Sequence, residues 1–165
     1  MHDAGLPKRF RDAMATVCTP VSVVTALDSE EPFGATVSAF TSLSMQPPMV
    51  LVVLDRGSDL LAVLRRTGRF GLNVLGTDHA AIARTFAGKG GSAKFLGIAW
   101  DQVDGAPRLP GASSFVTCSV ARLVDGGDHV VVLGDVREAE AGAGAPLTYH
   151  SRMFGTHTAF EEVVR

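Results

Sequence analysis

Thr36, Ser38, Thr41, Ser42 and Ser44 place five hydroxyls inside the stretch Gly34-Ala-Thr-Val-Ser-Ala-Phe-Thr-Ser-Leu-Ser-Met-Gln-Pro-Pro48, just before the apolar run Met49-Val-Leu-Val-Val-Leu54. A hydroxyl both donates and accepts hydrogen bonds. So dense a set beside a buried strand suits either of two chemistries. It could be a solvated strand face with its turns, or a surface that offers donors to a polyanion such as a phosphate. Alternate residues of an extended strand share a face. Thr36, Ser38, Phe40, Ser42 and Ser44 would then line one side, and the small Ala35 and Ala39 would let a flat ligand approach the backbone. Composition and alternation leave the two readings level.

Other chemistries fail on spacing. No G-x-G-x-x-G follows a strand, and Gly88-Lys-Gly-Gly-Ser-Ala-Lys94 does not fit a P-loop. The five histidines are not at zinc-ligand intervals, Cys18 and Cys118 stand far apart, and no G-x-S-x-G elbow is present. A metal site is not expected. Any chemistry would belong to an organic cofactor, with the protein binding and orienting it. Ser58 suits such a role, because it precedes a helix whose free N–H groups favour anions.

The elements that must position these residues are mostly strands. Phe10, Ala13, Met14 and Val17 recur at helical spacing and predict an amphipathic helix over 7–17. Strands are predicted over 21–27, from 33 onward, 49–54, 70–75, 115–123, 130–136 and 147–149. The 49–54 strand, apolar throughout, should be covered on both faces. Short helices are predicted over 59–66, from 77 to 87, and over 159–164. Residues 139–145, rich in Ala and Gly, read as a surface loop. Asp125-Gly-Gly-Asp128 marks a hairpin. Strands that follow one another through turns, without βαβ alternation, favour a mainly β antiparallel barrel with peripheral helices.

The 165 residues fit one domain, 1–165, and 46% hydrophobic content excludes a disordered chain. A net charge of −2 gives no electrostatic case for nucleic acid or an anionic membrane. No apolar run is long enough to span a bilayer. Two distant cysteines and no export signal predict a cytoplasmic protein, and the Ala, Gly, Val and Arg bias fits a bacterial source.

The hydroxyl stretch resembles the cofactor-binding segment of the flavin reductase-like family, whose pattern runs T-x-S-S-F-T-S-x-S-x-x-P-P. Here it stands as Thr36-Val-Ser-Ala-Phe-Thr-Ser-Leu-Ser-Met-Gln-Pro-Pro48, with Ala39 in place of one serine. Gly68-Arg-Phe-Gly-Leu-Asn-Val-Leu75, Lys94-Phe95 and Gly127-Asp-His129 with Leu133-Gly-Asp-Val136 are similar to further motifs of that family, in the same order. The resemblance implies a split, FMN-binding-like β-barrel of Greek-key path. It implies hydride transfer from NADH or NADPH to FAD or FMN, and a partner monooxygenase that receives the reduced flavin. It also implies a homodimer.

Carried over by position, the resemblance puts Thr36, Val37, Ser38 and Ala39 on the flavin ring and Ser42, Leu43 and Ser44 along the ribityl phosphate. Asp55 and Ser58 would hold phosphate or an adenylate portion. Asn73 would lie near the flavin, Lys94 would pair with phosphate, and Phe95 would pack on the cofactor or in the core. Taken alone, Asn73 is an ordinary strand-end residue, Lys94 a solvated loop lysine and His129 a surface histidine after a turn. In the family pattern His129 stands beside the nicotinamide and positions it. Tyr149, His150 and Arg152 would border the same dinucleotide.

The last motif departs from the family. Its usual Y-x-R-G-R-Y-G reads Tyr149-His-Ser-Arg-Met-Phe-Gly155 here, with both usual arginines absent. No arginine evident in the sequence would meet a 2′-phosphate, which tilts the expectation to NADH. The rival expectation is a flavin carrier or sensor on the same barrel without reductase activity.

Overall fold

A computed structural model describes residues 5–160. Helix α1 (Leu6–Ala15) leads through β1 (Thr19–Pro20) to β2 (Ser22–Asp28), β3 (Glu31–Val37), β4 (Phe40–Met45) and β5 (Pro48–Asp55). Next come α2 (Asp59–Thr67), β6 (Arg69–Val74), α3 (Ala80–Ala87) and the small hairpin β7 (Asp101–Val103) and β8 (Ala106–Arg108). The chain closes with the long pair β9 (Ser114–Gly126) and β10 (His129–Ala141), then β11 (Leu147–His150) and β12 (Met153–Thr156).

Seven strands form one antiparallel sheet in the order β3-β2-β6-β9-β10-β5-β4. Its two edges, β3 and β4, are consecutive in the chain and separated only by Ser38 and Ala39. The sheet must therefore curl until its edges meet, which makes it a barrel. The Val53 N–H donates to the Ala39 carbonyl at 3.0 Å and stitches the seam. Beyond that point the barrel is split. Phe40 is the first residue of β4 and pairs with Val52, so past the Val53 seam Leu54 and Asp55 of β5 run on with β10 as their only partner strand. Across the gap, β3 has no strand on its second edge.

Side-chain alternation fills the interior. Val50, Val52 and Leu54 of β5 and Val130 and Val132 of β10 point inward with Val24, Phe70 and Leu72. Leu60, Leu61 and Leu64 of α2 close one end of this cluster. A second cluster, with Val21, Leu75, Phe86, Phe95 and Leu147, packs α3 against the outer surface of the sheet. The cap of α2 follows from its ends: Ser58 enters in an extended conformation, and Gly68, at φ 67°, takes the left-handed position that bonds Leu64.

Gly134 is the tightest point of the core. A Cβ there would lie 2.5 Å from Cζ of Phe70 and 3.1 Å from Cβ of Cys118. Gly134→Ala is expected to destabilise by about 1–3 kcal/mol through overpacking, read as a lower urea midpoint at unchanged slope. Burial also pushes the Cys118 thiol up to about 12, which leaves it unreactive.

Several sequence expectations change. β9 and β10 are longer than 115–123 and 130–136, because their C-terminal ends, 124–126 and 137–141, run on in the sheet beside the start of the other strand with their own side chains exposed, so alternation carries no signal there. Residues 139–141 belong to β10 rather than to a loop. The short strands β1, β7, β8 and β12 have no apolar pattern of their own. β5 is buried on one face and half-buried on the other. The helix expected over 159–164 lies outside the described residues except at 159–160, which are irregular. α1 forms nearly where predicted, yet Phe10, Met14 and Val17 remain exposed and none of its residues is buried.

Candidate functional site

The split in the barrel opens into a cleft of about 620 Å³. One wall is the unpartnered edge of β3, from Phe33 to Val37. The opposite wall is the free end of β5 with the N-terminus of α2, and the floor is the C-terminal end of α3. Thr36, Val37, Asp55, Ser58, Lys94 and His129 all line it. A second cleft, of about 750 Å³, lies between α3 and the β11–β12 turn and takes in Ser38, Tyr149 and Arg152. Thr36 and Ala87 belong to both, so the two clefts adjoin.

His129 is held by local turn chemistry. Gly127, at φ 67°, is the first central residue of a two-residue hairpin, where a left-handed conformation suits glycine. Arg56 clamps that turn: its Nε donates to the Gly127 carbonyl at 2.8 Å, its N–H to the Asp128 carbonyl at 3.1 Å, and its guanidinium pairs with Asp125 at 2.9 Å. His129 then opens β10 directly opposite Asp55. Its Nδ1 lies 2.7 Å from Oδ1 of Asp128, and this hydrogen bond holds the Asp128 carboxyl below the usual carboxylate range. An ionised carboxylate only accepts, so Nδ1 carries the proton. In the neutral ring Nε2 is then an acceptor, free for a ligand N–H or O–H.

The other groups divide into those committed within the protein and those available. The Thr36 hydroxyl donates to the Ala83 carbonyl at 2.6 Å and ties β3 to α3. Asp55 accepts from the Gly57 N–H at 2.6 Å, building the turn into α2. Lys94 donates to the carbonyls of Phe86 and Gly88 at 3.3 and 3.1 Å, so it caps the C-terminus of α3. Burial lowers its ammonium from the ordinary lysine value, opposed by Asp59. The Ser58 hydroxyl makes no capping bond to α2, which leaves it and the helix N-terminus facing the cleft. Lys89 lines the same cleft, and no salt bridge engages it among the described residues. Sequence reasoning missed Lys89, Arg84, Ala87 and Phe154. The first three sit on or after a short helix with no motif, and Phe154 lay in the motif that departs from the pattern.

Four groups of the expected site residues line neither cleft. Asn73 does not face either cleft. It is fully buried, and its amide bonds Val23, Thr25, Pro107 and Leu109. Phe95 takes the core half of its expectation, edge-on to Phe86 at 4.7 Å and to Trp100 at 6.1 Å. Ala39, Ser42, Leu43 and Ser44 line neither cleft of the single chain. The chain changes partner strand at Ser38–Ala39, and a bulge between Ser42 and Ser44 shifts the register, so the hydroxyls never share one face. His150 also lies outside both clefts, exposed, with its Nε2 3.4 Å from the Ser151 hydroxyl.

A closed antiparallel sheet with this gap between β3 and β5 is a split barrel, with its clefts where the edge strand is left open. The chain belongs to the flavin reductase-like domain family, whose model matches residues 14–158. It is 40% identical, over 88% of its length and 78% of the relative's, to the reductase component of a 4-nitrophenol 4-monooxygenase/4-nitrocatechol 2-monooxygenase from Rhodococcus opacus. It is 37% identical, over 92% and 89%, to an NADH:riboflavin 5′-phosphate oxidoreductase from Streptomyces pristinaespiralis. Among solved structures it resembles the NADH:FAD oxidoreductase SgcE6 of Streptomyces globisporus C-1027, in complex with NAD and FAD fragments. That match has a TM-score of 0.86 and 29% identity, over 100% of this chain and 99% of that one.

Proposed function

We propose that the protein is an NAD(P)H:flavin oxidoreductase, working as one domain, that passes reduced FAD or FMN to a separate monooxygenase. The observation that carries this reading is the pair of adjoining clefts meeting at Thr36. The residues of the first cleft fit a flavin. An unpartnered strand edge offers backbone donors and acceptors in a plane, as a flat heterocycle requires. Ser58, the N-terminus of α2 and Lys89 supply the anion-binding groups at one end. The second cleft, with Tyr149 and Phe154, is sized for the dinucleotide. When both are bound, the nicotinamide supplies a hydride to the flavin ring.

The protein's share is orientation. Thr36, fixed to Ala83, holds the strand edge at the junction of the clefts. His129 lines the flavin cleft. Its Nε2, an acceptor when the proton sits on Nδ1, serves the carboxamide of a nicotinamide that reaches in over the flavin from the second cleft, and so sets which face of the ring meets the flavin. Arg56 holds the turn that carries it. The exposed apolar face of α1 suits a second copy of the chain, and a homodimer is part of the proposal. Cys18 and Cys118 are both free, in keeping with a reducing cytoplasm.

Anaerobic mixing with NADH or NADPH and excess FAD or FMN tests the reading. The absorbance of oxidised flavin should fall to completion with at least one pair. Tight flavin binding without bleaching by either nucleotide would leave the carrier or sensor in its place.

A further inference from the structure

We infer that Arg84 is the residue that grips a phosphate of the nicotinamide dinucleotide, and so restores a cation that the sequence motif over 149–155 lacks. The inference rests on the reductase reading and assigns one of its binding groups. Arg84 lies on α3 and lines the second cleft beside Tyr149, Arg152 and Phe154. Its guanidinium carbon sits 5.1 Å from the centroid of the Phe154 ring. At that distance the ring face attracts the cation and holds it in the cleft without using any of its N–H donors. The Phe154 ring is steadied in turn by Tyr149, at a centroid distance of 5.3 Å.

The two arginines of the cleft differ in what they already hold. Arg152 donates to Asp12 of α1 at 2.7 Å, so its charge is answered within the chain. No carboxylate among the described residues lies within ion-pair distance of Arg84. A planar donor fork held over a ring, without a carboxylate partner and lining a cavity beside the flavin cleft matches bidentate binding of a phosphate. The pyrophosphate and a 2′-phosphate present the same chemistry to it.

Calorimetric titration with ADP-ribose and with 2′-phospho-ADP-ribose, on wild type, Arg84→Gln and Arg84→Lys, tests this without any redox step. Arg84→Gln should weaken binding roughly tenfold, the scale of one charge-assisted contact, while Arg84→Lys recovers part of it. Equal losses with both ligands place the pyrophosphate on Arg84; a loss confined to the second places the 2′-phosphate there. FAD and FMN affinity, followed by flavin fluorescence, should not move. Unchanged nucleotide binding in Arg84→Gln, a loss that falls on flavin instead, or a wild type that reduces flavin yet binds neither fragment would overturn the assignment. Fragment binding that depends on Arg84 in a protein unable to reduce flavin would overturn the reductase reading alone.

Discussion

Asn73→Ala should lower the unfolding free energy by about 3–5 kcal/mol, since each buried group left unpaired costs roughly 1–3 kcal/mol. The Asn73 carbonyl accepts from the Leu109 N–H at 2.8 Å. Its Nδ2 lies 3.2 Å from each of three acceptors: the carbonyls of Val23 and Pro107, and Oγ1 of Thr25. One amide thus joins β2, β6 and the segment leaving β8. Alanine strands the Leu109 N–H and removes a donor from two carbonyls in a fully buried site. Urea unfolding measures the loss. Flavin affinity, taken at a temperature where the variant is folded, should equal that of wild type. A residue touching the flavin would give the reverse, with little lost in stability and much in affinity.

His129→Ala should lower kcat/KM for the nucleotide by roughly 10–100-fold, the range expected when one orienting contact in the transition state is lost. Flavin affinity should change little, because the strand edge, Ser58 and Lys89 remain. His129→Asn, which can still present an oxygen acceptor, should recover part of the rate. Steady-state kinetics with each substrate varied in turn separate the two effects. A fall confined to flavin affinity would move His129 from the nicotinamide to the flavin.

Legibility in the sequence followed how local each determinant was. His129 stood out only through the family resemblance, whereas the hairpin at Asp125-Gly-Gly-Asp128 was readable because it is written in its own turn. The leucines of α2, between Ser58 and Gly68, were readable for the same reason. The hydroxyl stretch was read in its general place and misread in detail, since alternation holds only within one strand. Whether the chain keeps its partner at Ser38–Ala39 depends on β2 and β5, which lie on opposite sides of the break. Asn73 had the chemistry of a ligand contact, and only the arrival of β8 above it turned that chemistry inward. Arg84 gave no signal, because its meaning comes from Phe154, which lies far along the chain and reaches it only after β11 and β12 have folded back.

A strand edge kept open for a ligand is equally open to another strand. The N–H and C=O groups along β3 that face the cleft are a template for pairing with any extended segment, and proteins ordinarily shield such edges. Here the shield is whatever fills the gap opposite Asp55 and Ser58. An occupant of the cleft binds only the folded chain and so stabilises it by mass action. It also covers an edge on which copies of the protein could zip together. On the proposed reading a flat ligand there takes the place of a missing strand, and the supply of that ligand bears on the solubility of the protein as well as on its turnover.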